Sequence, residues 1–228
     1  MCDKPSTSRE HVPPKSFFPE DPNLRKQLIT VHSCKEHNLS NSMDDEYVRA
    51  LIAFHFQNNQ AAYDLSMTKI KSSLEQSKGF WELFFGEEKN QFVNLGGTQF
   101  ASVAIDSARF NSEMQKIARG IYFNHFDQKS RETVLIYSPS LLALNVPSID
   151  LIDLAKMNAQ AQPLWSMATK YGANPDIFYY QIAQNTETIQ VTRPYGLIVP
   201  IVQTFTVMRM LFYTGFEVIA VFDEQAQG

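Results

Sequence analysis

The chain has 228 residues, of which 44% are apolar and 19% charged, with a formal net charge of −4. That composition is globular and long enough for a sizeable core, and it excludes a disordered or low-complexity chain. No apolar run reaches the roughly 20 residues a membrane-spanning helix needs. No charged-then-apolar leader opens the chain, and two cysteines are too few for a disulfide framework, so the expectation is a cytoplasmic protein with no membrane partner.

The first segment is polar and Pro-rich, and two clusters in it carry chemistry: Ser8-Arg9-Glu10-His11-Val12-Pro13-Pro14-Lys15 and Ser33-Cys34-Lys35-Glu36-His37-Asn38. Glu10 offers a metal-binding oxygen beside His11, whose imidazole titrates near neutrality and suits a general base. The Cys34-x-x-His37 spacing lets both side chains of a tight turn grip one zinc ion, and Cys2 supplies a further thiolate in the same segment. The plain alternatives are an exposed Glu-His pair in a loop and a buried Cys beside a surface His. Asn38 reads as a metal ligand or as a helix cap, two roles that compete for one side chain. Short strands are expected at His11–Val12 and over Leu28–Val31, and Pro13-Pro14 calls for an extended exit.

A helix follows, capped by Asn38 or Ser42, with Asp44, Asp45 and Glu46 in its first turn and Tyr47, Leu51, Ile52, Phe54 and His55 at helical spacing. The next helix spans about Gln60 to Gln76, with Ala62, Leu65, Met67, Ile70 and Leu74 as apolar positions. Ser77 to Gly86 is a short aromatic helix, and Glu87 to Asn90 a polar break. Gly96-Gly97 marks a turn before a strand over Gln99–Ile105. Asp106 or Ser107 then caps a helix that runs through Phe110, Met114, Ile117, Ala118 and Ile121 to about His125. Arg109, Lys116 and Arg119 fall near one side of it, which reads as a solvated basic face or as phosphate contacts. Thr133–Tyr137 is β-branched and strand-like, and Pro147-Ser148 opens a helix through Met157. Strands close the chain at Ile177–Ala183, Gln203–Tyr213 and Phe216–Phe222, the last two as an antiparallel hairpin turning at Thr214-Gly215, with a frayed end after Glu224. The 17 Phe and 9 Tyr imply an aromatic core, in which His55 and His125 are structural. Strands and helices without a strict βαβ rhythm give an α+β class.

The segment from Cys2 to Asp45 resembles the HNH endonucleases. Their ββα-metal core reads roughly as a Cys knuckle, an acid-His pair, an Asn, and a second Cys knuckle ending in Asn or His. The likeness covers about the first fifth of the chain. It implies a small N-terminal ββα-metal motif, 1–57, followed by a larger mixed α+β body, 58–228, that ends in an antiparallel hairpin. His11 would then be the general base that activates water. Glu10 and Asn38 would hold a catalytic Mg²⁺ or Mn²⁺, and Cys2, Cys34 and His37 a structural Zn²⁺. Gln27 stands where the family has an Asn that steadies the catalytic imidazole. The first knuckle's other cysteine would fall before Met1; His32, a water or an upstream residue could take its place.

Two function classes follow. The first is a metal-dependent endonuclease acting on DNA, double-stranded first of all. The second is a catalytically inactive, zinc-stapled binding protein whose α+β body carries a partner or ligand interface. The net charge weighs against the first, because phosphate neutralisation supplies most non-specific nucleic-acid affinity. In either class the body offers a surface for a homo-oligomer or a partner protein.

Overall fold

The computed structural model describes residues 5–34, 42–85, 90–95, 98–103, 105–130, 133–141, 162–192 and 198–224. The protein is α+β, with antiparallel sheets at both ends of the chain. Strands β1 (Ser8–His11) and β2 (Thr30–Ser33) form the first hairpin, Ser8 opposite Ser33 and His11 opposite Thr30. Both strands are displaced by about two residues from the apolar pairs that marked them. The chain leaves β1 through a cis peptide bond at Val12–Pro13 and a short 3-10 turn at Lys15–Phe17.

Three helices follow: α1 (Ser42–Ala53), α2 (the consecutive spans Gln60–Leu65, Ser66–Ile70 and Lys71–Gln76) and α3 (Lys78–Phe85). Asn59 caps α2, its side chain accepting from the Ala62 amide, and the middle span widens to a π-turn. Met67 lies on the outer side of that turn and is half exposed, against its expected place in the core. Of the aromatic run, Phe80 and Phe84 are buried and Trp81 is not.

Strands β3 (Asn90–Leu95) and β4 (Thr98–Val103) pair across Gly96-Gly97, with Leu95 opposite Thr98. The polar residues ahead of Gly96 hid β3 from the sequence pattern. Helix α4 (Ser107–Phe126) is capped by Asp106, whose side chain accepts from the Arg109 amide at 3.0 Å. The remaining strands are β5 (Val134–Tyr137), β6 (Tyr171–Asn174), β7 (Phe178–Thr192), β8 (Ile198–Phe212) and β9 (Phe216–Glu224). They form one antiparallel sheet in the order β5-β9-β8-β7-β6. Strands β7 and β8 run far past the apolar stretches that announced them, paired from Phe178–Phe212 out to Thr192–Ile198. The Gly96-Gly97 turn, the polar residues 87–89, the helix expected from Pro147 to Met157 and the residues after Glu224 lie outside the described residues.

Period-2 alternation gives β8 and β9 one buried face, on which Met208, Met210, Phe212, Phe216, Val218, Ala220 and Phe222 are at most 1% exposed. Helix α4 lies against this face through Phe110 on Phe216 and Tyr122 on Phe222, with ring centroids 6.1 and 4.7 Å apart. The β8–β9 turn puts its positive φ at Tyr213 and Thr214 rather than at Gly215. Gly215 has a different duty: a Cβ there would stand 2.3 Å from the Gln57 carbonyl oxygen.

The polar N-terminal segment shares this core. Phe17 packs on Phe212 and Phe18 on Phe178, while the buried Tyr213 hydroxyl donates to the Phe17 carbonyl. The Asn174 amide donates to the Leu24 carbonyl at 2.8 Å. Buried apolar residues from Val12 to Phe222 form a single cluster, so the first hairpin is anchored on the body's sheet.

Candidate functional site

A cavity of about 670 Å³ lies between the β1–β2 hairpin and helix α4. Its position follows from one close approach. Gly120 faces Val12 at the end of β1, and a Cβ on Gly120 would meet both Val12 methyl carbons at 2.8 Å. The missing side chain lets hairpin and helix touch there, and above that contact the cavity opens.

Glu10, His11 and Cys34 line the cavity together, with His32 and Ser33 from β2 and Lys116, Arg119 and Lys129 from the helix side. The acid–His pair and the first knuckle residue are therefore gathered around one space. Cys34 is buried directly after β2. His32 is exposed, with its Nδ1 3.3 Å from Ser6 Oγ. Partial burial, reinforced by the Lys15 charge, lowers the His11 pKa below the ordinary histidine value, which keeps the imidazole neutral and able to accept a proton.

Gln27 is not part of this group. It sits exposed in the turn before β2 with φ 52°, lines a separate small cavity with Pro13, Phe18 and Leu28, and makes no hydrogen bond to His11. The left-handed backbone there carries the chain round the bend into β2. Cys2, His37 and Asn38 lie outside the described residues.

The floor of the cavity holds a charged cluster. Lys116 Nζ is 2.9 Å from Glu10 Oε1, 3.6 Å from Asp45 Oδ1 and 3.6 Å from Glu113 Oε1. Glu113 is almost fully buried, and its pKa is raised to about 8, first by burial and then by the neighbouring Asp45 carboxylate. At neutral pH it is therefore chiefly the uncharged acid. Burial works against the Lys116 ammonium, but Glu113, Glu10 and Asp45 outweigh it and hold its pKa above the ordinary lysine value.

The basic side of α4 is thus not a solvated face. Lys116 is consumed by carboxylates, and Arg109 pairs with Asp44 at 2.9 Å while its guanidinium lies 5.2 Å from the Tyr47 ring centre. Lys116 and Arg119 both line the cavity. Sequence reasoning passed over Glu113, although a signal was present. It falls between Phe110 and Ile117 on the apolar stripe of α4, where an acid is out of pattern.

The residues described do not fit the divalent ion that the resemblance implies. Glu10 is engaged by an ammonium, and among the described residues no group of three His, Cys, Asp or Glu side chains is arranged to hold a metal ion. Likewise, among the described residues no helix is long and apolar enough to cross a membrane. No family model, curated protein or solved structure matches the chain.

Proposed function

We propose that the chain is an endonuclease that hydrolyses phosphodiester bonds of double-stranded DNA at the cavity between the first hairpin and α4, and that it acts in the cytoplasm. One observation carries the reading: β1 and β2 bring Glu10, His11 and Cys34 to a single cavity whose other wall holds Arg119 and Lys129. Hydrolysis of a phosphodiester needs a base to take a proton from water and positive charge to meet the phosphate. His11 supplies the base, kept neutral by its burial and by Lys15. Arg119 and Lys129 supply charge to phosphate oxygens as the water oxygen bonds to phosphorus and one ester oxygen departs.

The hairpin followed by α1 is also the ββα order of the HNH motif. The structural zinc belongs to the same reading, with Cys34 as a ligand and Cys2 and His37 completing it from outside the described residues. No step is assigned to a divalent ion, because Glu10 is held by Lys116. The α+β body offers the surface for a second copy or a partner protein.

Purified protein with supercoiled plasmid, in Mg²⁺, Mn²⁺ and EDTA, tests the reading. His11→Ala should slow nicking by roughly 100-fold or more, the usual worth of a general base. Nicking at an undiminished rate in that variant would remove the mechanism.

The engagement of Glu10 favours a second reading, a zinc-stapled binding protein that holds nucleic acid or another ligand without turning it over. Stoichiometric zinc by elemental analysis, together with DNA retention and no cleavage under any ion, would select it.

A further inference from the structure

Three carboxylates from three elements converge on one point: Glu10 from β1, Asp45 from α1 and Glu113 from α4. Their oxygens stand 2.9, 3.6 and 3.6 Å from Lys116 Nζ. Glu113 is only 2% exposed, and its carboxyl faces both the Asp45 carboxyl and the Lys116 ammonium. Carboxyl groups buried so close together call for a shared proton or a cation between them. A hard divalent ion takes such oxygens at about 2.0 to 2.6 Å, so with Asp45 and Glu113 at 3.6 Å the arrangement is spaced for an ammonium and not for a metal.

We propose that Glu10, Asp45 and Glu113 form a cation site whose resident occupant is the chain's own Lys116 ammonium, so that Glu10 is no divalent-ion ligand while Lys116 is in place. The inference rests on the endonuclease reading only in its consequence, that His11 works beside a fixed ammonium instead of a Glu10-bound ion. Lys116 is then a positioning residue: it holds Glu10 against α4 and so fixes the strand that carries His11. Its removal opens Glu10, Asp45 and Glu113 to a hard cation, whose binding displaces the Glu113 proton.

Mn²⁺ titration of the full chain, read by electron paramagnetic resonance and by calorimetry, tests this without any cleavage assay. Wild type and Glu10→Gln should bind Mn²⁺ alike. Lys116→Met should gain one site that wild type lacks, weakened at least tenfold in Lys116→Met/Glu10→Gln. The proposal is overturned if Glu10→Gln lowers Mn²⁺ binding in the wild-type background, or if folded Lys116→Met gains no site. Should Lys116→Met not fold, the Glu10→Gln comparison decides alone, since it leaves Lys116 untouched. Absence of DNA cleavage in every one of these proteins would sink the endonuclease reading and leave the Mn²⁺ result standing.

Discussion

The β8–β9 hairpin and the β1–β2 hairpin are both antiparallel and both lie against α4, but different forces hold them. In β8–β9, alternate residues from Met208 to Phe222 are buried in an unbroken apolar face, and the rings of α4 pack on it. In β1–β2 the described pairing is four residues long, and Val31 and Ser33 are its buried members. That hairpin is fixed by the Glu10–Lys116 ion pair, by Val12 against Gly120 and by the Phe17 and Phe18 anchors beyond it. Apolar burial holds no charge to screen or titrate, whereas a shared ammonium among carboxylates responds to both salt and pH. The conditional hairpin is the one that borders the cavity.

The largest loss of stability is expected on the apolar side. Phe216 is fully buried and touches both His55 and Phe110 edge-on. Phe216→Ala should cost about 3 to 5 kcal/mol, the usual range for emptying a core phenylalanine site. Urea unfolding would measure it, and the loss should be the same at pH 6 and pH 8. A strongly pH-dependent loss would mean that the two regions are not held separately.

On the charged side, Lys116→Met leaves Glu10, Asp45 and Glu113 without their cation. Removing one partner of a buried charge group costs roughly 3 to 5 kcal/mol, and the partial exposure of Lys116 brings the expectation to about 2 to 3. The loss should grow as pH rises through about 8, where Glu113 gives up its proton and is drawn to the ammonium. A loss that is the same at pH 6 and pH 9 would show that Lys116 and the Glu113 carboxylate do not interact.

These two sites were unequally legible beforehand. Helix α4 and the β8–β9 hairpin could be read because burial repeats along them, every three to four residues in one and every two in the other. The Asp106 cap was legible for the same local reason. Glu10 and His11 were legible as chemistry, but their partners were not. Asp45 looked like a first-turn acid and Lys116 like a surface base, and only the packing of α1 on α4 joins them to Glu10. Strands β3 and β6 carry too little apolar alternation to stand out. The outer half of β7 is rich in Thr, Gln and Asn, and takes its strand form from pairing with β8.

Glu113 sharpens the contrast through pH. Its folded-state pKa is raised from 4.5 to about 8, so between those values the unfolded chain gives up the proton while the folded chain keeps it. Stability from this group is whole below about pH 4.5, falls as pH rises through about 8 and is then spent. The steepest slope is about 1.4 kcal/mol per pH unit. The raised pKa of Lys116 acts above the ordinary lysine range of 10.5 and leaves this window alone. Glu113→Gln keeps the shape and removes the proton, so its unfolding free energy should be flatter than wild type from pH 5 to pH 8. An unchanged slope would assign the pH dependence to another group.

The smallest effect belongs to the seam between the two regions. Gly120→Ala places a methyl carbon 2.8 Å from both Val12 Cγ atoms, and one side must shift by several tenths of an ångström. Overpacking of this kind costs about 1 to 3 kcal/mol. Against it stands the gain of about 1 kcal/mol that alanine brings over glycine inside a helix. The net should be a loss of about 0 to 2 kcal/mol, and its size tells whether β1 can move. If β1 yields, amide exchange should quicken at Val12 and Val31 while Phe216 and Val218 stay protected. Val12→Ala in the same chain removes the colliding methyls, so Gly120→Ala should then turn neutral or stabilising. A double-mutant cycle without that reversal would show that the close approach of hairpin and helix is not what Gly120 provides.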